Sequence, residues 1–317
     1  MKLGIIGNGF VGSAIAEGFK LYCDDLRVYD SNPRRATHSL KETSLCDLVF
    51  ISVPTPMEDL QSRKADLSIL NSVFDDLNAL GCKSLLIIKS TVPVGTTLKI
   101  QEQYPKLRIC HSPEFLTARK AKIDFITPSR NIVGYTTDKS IAMKAVDLYK
   151  SRFPGTTCLL MSSSESEMVK YMANCFFATK VSFFNEMYLL AEKLDLDWQR
   201  LIEGVLSDGR IGVSHYDVPG HDEDFGFGGT CFPKDINALI NLMKDNNIVP
   251  HVLEGAWKQN INVRKNKDWE ENPSALSIKE IERHKRLISE GWEKTEDGYF
   301  HPEHGTDLSG CGHDYIA

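Results

Sequence analysis

The fold is decided by the stretch Lys2-Leu-Gly-Ile-Ile-Gly7-Asn-Gly9-Phe-Val-Gly12, in which a short apolar strand runs into the pattern G-x-G-x-x-G. The next residues, Ser13 to Phe19, have the composition of a helix, and a second apolar strand ends at Asp30. The glycine pattern alone is a weak signal. Strand, glycines, helix and a downstream acid in this order are typical of a dinucleotide-binding unit.

Each glycine of this pattern has a physical purpose. Gly7 permits a tight turn, Gly9 lets the backbone approach a pyrophosphate, and Gly12 lets helix and strand pack closely. Phe10 and Val11 begin the helix, whose N-terminus attracts the pyrophosphate. These five residues are therefore predicted to bind the cofactor.

Asp30 indicates which dinucleotide binds. Its carboxylate would accept hydrogen bonds from the adenosine ribose and repel a 2′-phosphate, which favours NAD over NADP. Arg34 and Arg35 weaken that preference, because a basic pair beside the acid can hold a phosphate. The alternative is that Asp30 is only a turn residue at the end of a strand.

Composition sets broad limits on function. The chain has 317 residues, 42% of them hydrophobic and 25% charged, as in ordinary globular proteins. A net charge of −6 argues against general nucleic-acid binding, and no apolar run reaches membrane-spanning length. No signal peptide is recognised, and the eight cysteines show no C-x-x-C pair. Reduced thiols in a cytoplasmic protein are therefore expected.

The pattern along the first half predicts an α/β fold, namely a Rossmann-type doubly wound parallel sheet with helices on both faces. Predicted strands are residues 2–6, 26–30, 48–53, 84–89, 107–111, 131–134 and 156–161, and predicted helices are 10–22, 67–79, 95–103 and 138–151. Three loops should meet at the carboxyl edge of this sheet. They are Val53-Pro54-Thr55-Pro56, the segment 89–97 that includes Thr91, and His111-Ser-Pro-Glu114-Phe115-Leu116. Each alone could be a plain proline turn.

A second informative stretch is Phe225-Gly-Phe-Gly228-Gly-Thr-Cys231-Phe-Pro-Lys234-Asp235. It places Cys231 after a glycine-rich loop and at the start of an amphipathic helix, where positive potential favours the nucleophilic thiolate. The alternative is a buried structural cysteine.

Residues 165–194 contain neither proline nor glycine and have helical spacing of apolar positions. Lys170 and Asn174 lie one turn apart on one face. That face could be solvated or could point into a cleft, and the sequence leaves both open.

The ordered motifs resemble the UDP-glucose/GDP-mannose dehydrogenases, which are NAD-dependent nucleotide-sugar 6-dehydrogenases. The resemblance covers residues 1 to about 265. It rests on the two stretches above, on the three loops, on Glu167-Met-Val-Lys170-Tyr-Met-Ala-Asn174 with Asn185-Glu186, and on Asp208-Gly-Arg210-Ile-Gly212.

The resemblance implies a covalent oxidation of a sugar C6 alcohol to a carboxylate, in which Cys231 forms a thiohemiacetal and then a thioester. Lys170 and Asn174 would stabilise charge on the C6 oxygen. Asp235 would position a water together with Thr91, and Glu114 would serve thioester hydrolysis.

The resemblance also implies binding residues. Cofactor contacts are expected from Pro54, Thr55, Thr91 and Lys234, and Lys234 also resembles a substrate-holding lysine. Substrate contacts are expected from Glu114, Phe115, Leu116, Lys170, Asn174, Arg210, Phe225, Gly228 and Cys231. Arg210 would reach the substrate of the partner subunit in a homodimer.

Three features depart from the family pattern. Ala118 stands where a second acid is usual, so hydrolysis would depend on Glu114. The segment 213–224 is long and acidic. Only about 50 residues follow Arg264, whereas the family has a further nucleotide-binding domain, on the order of 100 residues.

The end of the chain is expected to be a short atypical tail. A long helix over 253–271, resembling the family's dimerisation helix, should be followed by a helix over 278–290 and a hairpin at Asp297-Gly298. A zinc site at His301, His304, Cys311 and His313 is the weaker alternative to a solvated tail, so no metal is predicted. The predicted domains are an NAD-binding Rossmann domain over 1–162, a helical dimerisation and active-site domain with the Cys231 loop over 163–272, and the tail over 273–317. The chain is either a working dehydrogenase or a dinucleotide-binding remnant that acts as a binding protein.

Overall fold

The computed structural model describes residues 1–117, 119–295, 298–302 and 305–307. The chain forms two compact units. Unit 1 comprises Met1–Thr55 and Leu67–Lys170, and unit 2 comprises Pro56–Asp66 and Tyr171–Ala317. Within the described residues, no helix combines the length and apolar character needed to cross a membrane. The three predicted domain ranges stay a prediction.

Unit 1 is an α/β unit. Its strands are β1 Lys2–Ile6, β2 Asp25–Tyr29, β3 Leu48–Ile51, β4 Leu85–Ile88, β5 Arg108–His111, β6 Asn131–Tyr135 and β7 Cys158–Ser162. Its helices are α1 Phe10–Phe19, α2 Leu40–Thr43, α3 Ser68–Ala79, α4 Thr96–Gln103, α5 Ala121–Ile126 and α6 Lys139–Arg152.

The seven strands form one sheet in the order β2-β1-β3-β4-β5-β6-β7. The first five are parallel, which confirms the doubly wound fold, with the switch in strand order between β1 and β3. β6 instead pairs antiparallel with β5, and β7 is parallel to β6. The sequence between residues 112 and 130 shows no pattern long enough for a crossover helix, so nothing there enforced a parallel connection.

The sheet has a hydrophobic core on each face. Along β3, Leu48 and Phe50 enter one core while Val49 and Ile51 enter the other. The same alternation recurs on β4, as expected for strands buried on both faces. Two covered faces leave the carboxyl edge of the sheet as the place where polar loops gather.

Unit 2 is mainly helical. The helix α7, Ser163–Lys193, begins in unit 1 and continues as the first element of unit 2. The further elements are α8 Trp198–Leu206, α9 Phe232–Asp245, α10 His251–Val263, α11 Ile278–Ser289, β8 Glu293–Thr295, β9 Gly298–His301 and β10 Gly305–Asp307. The segment 56–66 belongs here because the Met57 N–H donates to the Ala275 carbonyl at 2.7 Å.

The prediction of one helix over 253–271 was wrong. α10 ends at Val263, Arg264 is extended, and a short 3-10 turn follows at Asp268–Glu270. The Arg264 side chain is buried, and its guanidinium donates to the carbonyl of Asn266 and to the Asp222 carboxylate. These bonds turn the chain at a point where the sequence pattern would have allowed the helix to continue.

The expected hairpin is present, because β8 and β9 pair antiparallel with Thr295 opposite Gly298. Its turn residue Asp297 lies outside the described residues. Of the zinc alternative, only His301 is described, and His304, Cys311 and His313 lie outside. No group of three His, Cys, Asp or Glu side chains suited to a metal occurs in the part of the chain that the structure describes.

Candidate functional site

The loop after β1 has the close packing that its glycines predict. Gly7 has a φ of +91°, and a Cβ there would lie 2.6 Å from the Ser52 carbonyl oxygen. A Cβ on Gly12 would lie 1.9 Å from the carbonyl oxygen of Gly7. Only glycine fits at either position without moving the backbone.

Gly9 differs from both. It is the N-cap of α1, no side chain caps this helix end, and a Cβ at Gly9 would meet nothing within 4 Å. Phe10, the first helical residue, is 42% exposed, and Val11 is half-buried. The helix N-terminus therefore faces open space of the kind that a pyrophosphate needs, and the residues present fit NAD.

Asp30 is held at the end of β2 by two backbone donors. The Asn8 N–H donates to Oδ2 at 2.7 Å, and the Asn32 N–H donates to Oδ1 at 2.8 Å. Each carboxylate oxygen keeps a second lone pair. The carboxylate is therefore oriented beside the glycine loop and can still accept ribose hydroxyls.

The loops after β3 and β4 are bonded to each other. Pro54 is exposed, whereas Thr55 is buried and its Oγ1 donates to the Thr91 carbonyl at 2.6 Å. The half-buried Thr91 therefore lies beside the two predicted cofactor residues of the neighbouring loop.

Glu167, which sequence reasoning did not select for the site, holds the second part of the β4 loop. Its carboxylate accepts from the backbone N–H groups of Gly95 at 2.6 Å and Thr97 at 2.8 Å. Burial raises the pKa of this carboxyl, although the bonds from Thr97 and Gly95 oppose that effect. Glu167 was quoted in a motif, and its contact with the residues around α4 could be found only from the fold.

Glu114 and Lys170 form a buried ion pair in unit 1. The Lys170 Nζ lies 2.7 Å from Oε1 of Glu114, and the two side chains are only 4% and 8% exposed. The Leu116 N–H donates to Glu114 Oε2 at 2.7 Å, and Lys170 Nζ lies 5.7 Å from the centre of the Phe115 ring. Burial opposes the ionised form of Glu114, but the ion pair with Lys170, the Leu116 N–H and the Lys89 charge together hold the pKa of this carboxyl below its usual value. The Lys170 side chain is therefore buried in an ion pair rather than solvated.

Lys89 is a second buried cation beside this pair. It begins the segment 89–97, and the sequence did not predict a role for it. Its Nζ donates to the Pro113 carbonyl at 2.8 Å and also contacts Ser112 Oγ and Tyr149 Oη. Burial lowers the pKa of Lys89 to about 7. The side chain thus anchors the loop that carries Glu114, Phe115 and Leu116.

The second group of predicted residues lies at the start of α9 in unit 2. Cys231 is half-buried and is the N-cap of this helix. Asp235, one turn later, is 1% exposed. Its Oδ1 lies 2.5 Å from Lys234 Nζ, and its Oδ2 accepts from Asn174 Nδ2 at 2.6 Å. Asp235 therefore ties Asn174 of α7 to the helix that begins at Cys231.

The glycine loop before Cys231 is held through its backbone. The Phe227 N–H donates to Asn260 Oδ1 at 2.6 Å, and the Gly229 N–H donates to the Asp268 carboxylate at 3.0 Å. A Cβ on Gly228 would lie 2.2 Å from the Arg264 guanidinium. The loop is thus fixed between α10 and the turn that follows it.

The acidic segment before this loop has a structural explanation. Asp222 pairs with the buried Arg264 at 2.6 Å, and Asp224 accepts from the backbone N–H of Asn266 at 2.8 Å. These carboxylates are therefore bonded within unit 2. Asp222 and Asp224 stabilise the chain around the glycine loop, and they do not need to face an anionic substrate.

The surroundings of Arg210 and Phe225 say less about their predicted role in substrate binding. The Arg210 side chain is 90% exposed and pairs with its neighbour Asp208 at 2.5 Å. The carbonyl of Phe225 accepts from Arg264, and its ring lies 5.6 Å from Tyr188. Ala118, where the family usually has an acid, lies outside the described residues.

Comparison with known proteins shows what the chain is similar to. Residues 27–152 match the NAD binding domain of the UDP-glucose/GDP-mannose dehydrogenase family, and residues 164–262 match the family's central domain. The UDP-glucose 6-dehydrogenase of Campylobacter jejuni is 32% identical over 273 residues, which cover 76% of this chain and 67% of that protein.

Solved structures of dehydrogenases also resemble this chain. The UDP-glucose dehydrogenase of Pyrobaculum islandicum superposes with a TM-score of 0.73 at 29% identity, covering 82% of this chain and 68% of that one. The UDP-D-ManNAc dehydrogenase of Pyrococcus horikoshii shows the same fold, with a TM-score of 0.69 at 23% identity over 83% and 68% of the two chains. This chain spans about two thirds of the length of these relatives.

Both domain matches, their order and the relative from Campylobacter lead to one conclusion. The chain belongs to the UDP-glucose/GDP-mannose dehydrogenase family, an NAD-dependent oxidoreductase family.

Proposed function

We propose that this chain oxidises the C6 alcohol of a nucleotide sugar to a carboxylate, as in the conversion of UDP-glucose to UDP-glucuronate, with Cys231 as covalent nucleophile. The observation that carries the proposal is the arrangement at α9, where Cys231 caps the helix and the buried Asp235 holds both Lys234 and Asn174. A structural cysteine would not require a buried Asp235 that binds two polar side chains one turn further along the helix.

The first role of the chain is to hold the alcohol and receive its proton. Asp235, fixed by two hydrogen bonds, positions the water that takes the hydroxyl proton, together with Thr91. Lys170 and Asn174 donate to the C6 oxygen as negative charge develops on it. NAD, when bound, accepts the hydrides of both oxidations.

The second role is covalent. Loss of the first hydride and of the hydroxyl proton leaves an aldehyde at C6. The Cys231 thiolate, favoured at the N-terminus of α9, adds to it to give a thiohemiacetal, which loses the second hydride to become a thioester. Glu114 then directs the water that hydrolyses the thioester. Phe115 and Leu116, on the same anchored loop, line the substrate.

Cofactor choice follows from the β1 and β2 loops. We propose that Gly7, Gly9 and Gly12 admit the pyrophosphate and that Asp30 selects NAD over NADP. Pro54, Thr55, Thr91 and Lys234 complete the proposed cofactor contacts. Asp30→Ala should narrow the difference between the Kd values of NAD and NADP, and a wild type that binds NADP as tightly as NAD would contradict this assignment.

The proposal includes a homodimer in the cytoplasm. Five apolar side chains, four on α7 and one on the residue directly after its end, are 51–64% exposed and lie within about 40° of one another when projected on a helical surface. They are Met172, Phe176, Phe183, Leu190 and Leu194, and we call them the α7 stripe. Burial against a second copy would cover the stripe, and Arg210 would then reach the partner's substrate. The cytoplasmic location is supported by free cysteines at seven described positions.

The test is to incubate the purified chain with NAD and a panel of UDP- and GDP-sugars, following NADH by absorbance and the acid by mass spectrometry. We expect two NADH for each acid formed, without release of aldehyde. Absence of NADH with every sugar nucleotide, despite measurable NAD binding, would contradict the enzyme and favour the dinucleotide-binding remnant.

A further inference from the structure

Unit 2 contains a cavity that is separate from the residues assigned above. Its volume is about 700 Å³, within the range of small-molecule sites. The walls come from the segment 56–66, from α9 and α10, from the turn after α10 and from the hairpin β8–β9. Cys231 and Asp235 are not among the lining residues, and the nearest part of α9 that lines the cavity begins at Asn237.

The floor of the cavity is apolar and aromatic. Met57, Trp257, Trp269 and Tyr299 line it, and each is at most 9% exposed. The Trp257 and Trp269 rings lie 5.6 Å apart, and the Arg63 guanidinium lies 5.6 Å from the Trp257 ring. Trp257, at 9% the most exposed of the four, is the ring available to a flat ligand, and the other three are more deeply buried.

The rim is cationic. Five basic side chains and two carboxylates line the cavity, which leaves a surplus of three positive charges in a chain whose net charge is −6. The two carboxylates are neutralised within the site, because Glu254 pairs with Lys244 at 2.7 Å and Glu270 pairs with Lys294 at 2.5 Å.

Of the other three basic side chains, Arg63 contacts Asn237 Oδ1 and the Trp257 ring. The remaining two are Lys258 and Lys267. Lys258 is exposed and Lys267 is half-buried, and neither forms an ion pair with a carboxylate in the part of the chain described here. Concentrated positive charge beside an aromatic floor attracts a ligand that combines an anionic group with a ring.

We propose that this cavity binds a nucleoside diphosphate, with its ring against Trp257 and its phosphates beside Lys258 and Lys267. The proposal does not depend on dehydrogenase activity. The ligand has two possible sources, namely the nucleotide half of a sugar-nucleotide substrate or a separate free nucleotide. In either case the bound molecule bridges α9 and α10 to the hairpin that follows α11.

The test is calorimetric titration of the full chain with UDP, uridine and inorganic pyrophosphate. UDP should bind more tightly than either fragment. A Lys258→Ala/Lys267→Ala variant should weaken UDP binding by about tenfold, because two partly exposed charge contacts are lost. Lys193→Ala, which removes an exposed lysine of α7 outside the cavity, serves as the matched control and should bind UDP as the wild type does.

Kinetics separate the two sources. If the ligand is the nucleotide half of the substrate, the double variant raises KM and UDP inhibits competitively. If it is a free nucleotide, KM is unchanged and inhibition or activation by UDP is not competitive. The proposal is overturned if UDP does not bind, if pyrophosphate binds as tightly as UDP, or if the double variant binds UDP like the Lys193→Ala control.

Discussion

Replacing Glu114 by glutamine tests the buried ion pair that positions Lys170. The Glu114→Gln side chain keeps its size and can still accept the Leu116 N–H, but Lys170 loses the carboxylate that lies 2.7 Å away. Removing one partner of a buried pair costs about 3–5 kcal/mol. Because the bond to Leu116 survives, we expect the lower end, about 3 kcal/mol of unfolding free energy.

The assay is urea and thermal unfolding followed by circular dichroism. For a unit of this size the loss corresponds to about 6–12 °C in Tm. Glu102→Gln, which alters an exposed glutamate on α4, is the matched control and should leave Tm within about 1 °C of the wild type. Adding Lys170→Met to Glu114→Gln should recover part of the loss, since the ammonium that lost its carboxylate partner is then removed.

The pH dependence gives a second readout. The folded pKa of Glu114 lies below the ordinary glutamate value of 4.5, so its contribution to stability is complete above about pH 4.5 and is lost as pH falls through the folded pKa. The stability gap between wild type and Glu114→Gln should therefore narrow on acidification below that point. A variant as stable as the Glu102→Gln control at pH 7 would refute the reasoning.

Three further perturbations test other parts of the account. Because the folded pKa of Lys89 is about 7, the unfolded state binds more protons than the folded state between about pH 7 and 10, and the free energy of unfolding should rise with pH there. Lys89→Met should remove this part of the rise; equal pH slopes of wild type and variant in urea unfolding would contradict it. Gly12→Ala should lower the free energy of unfolding by at least about 3 kcal/mol, because its Cβ clashes with the Gly7 carbonyl. Gly9→Ala should keep the wild-type Tm and weaken NADH binding, measured by fluorescence. The same Tm for both variants would contradict this difference. Phe176→Glu should dissociate the dimer by placing charge in the α7 stripe, while Glu192→Lys on the opposite helix face should not; sedimentation showing the same dimer in both variants would exclude the stripe as the interface.

Local patterns predicted the main elements of unit 1 and the long helix α7 well. The G-x-G-x-x-G stretch, the apolar strands and the helix over 165–194 depend on residues near one another in sequence, and the structure has them within a few residues of the expected bounds. The helix expected over 253–271 was too long because its end depends on Arg264 binding Asp222, about 40 residues earlier. Strand direction after β5 likewise has no local signal.

The sequence predicted those parts of the candidate site that appear as motifs with a fixed spacing. Cys231 at the start of α9 and the pairing of Lys170 and Asn174 on one helix face were visible as spacings. The roles of Lys89 and Glu167 were not, because both act on loops more than 20 residues away. The cavity of unit 2 is also a tertiary feature, since its lysines are scattered over four segments that look like ordinary solvated charges.

The most direct test of the account compares acid formation by wild type, Cys231→Ala and Cys23→Ala, with NAD and the best sugar nucleotide supplied in excess. Cys23 is a partly exposed free thiol in unit 1 and is the matched control. The account predicts that Cys23→Ala forms the acid like the wild type and that Cys231→Ala forms none, because no thioester can form. Acid formation by Cys231→Ala at the wild-type rate would contradict the covalent route.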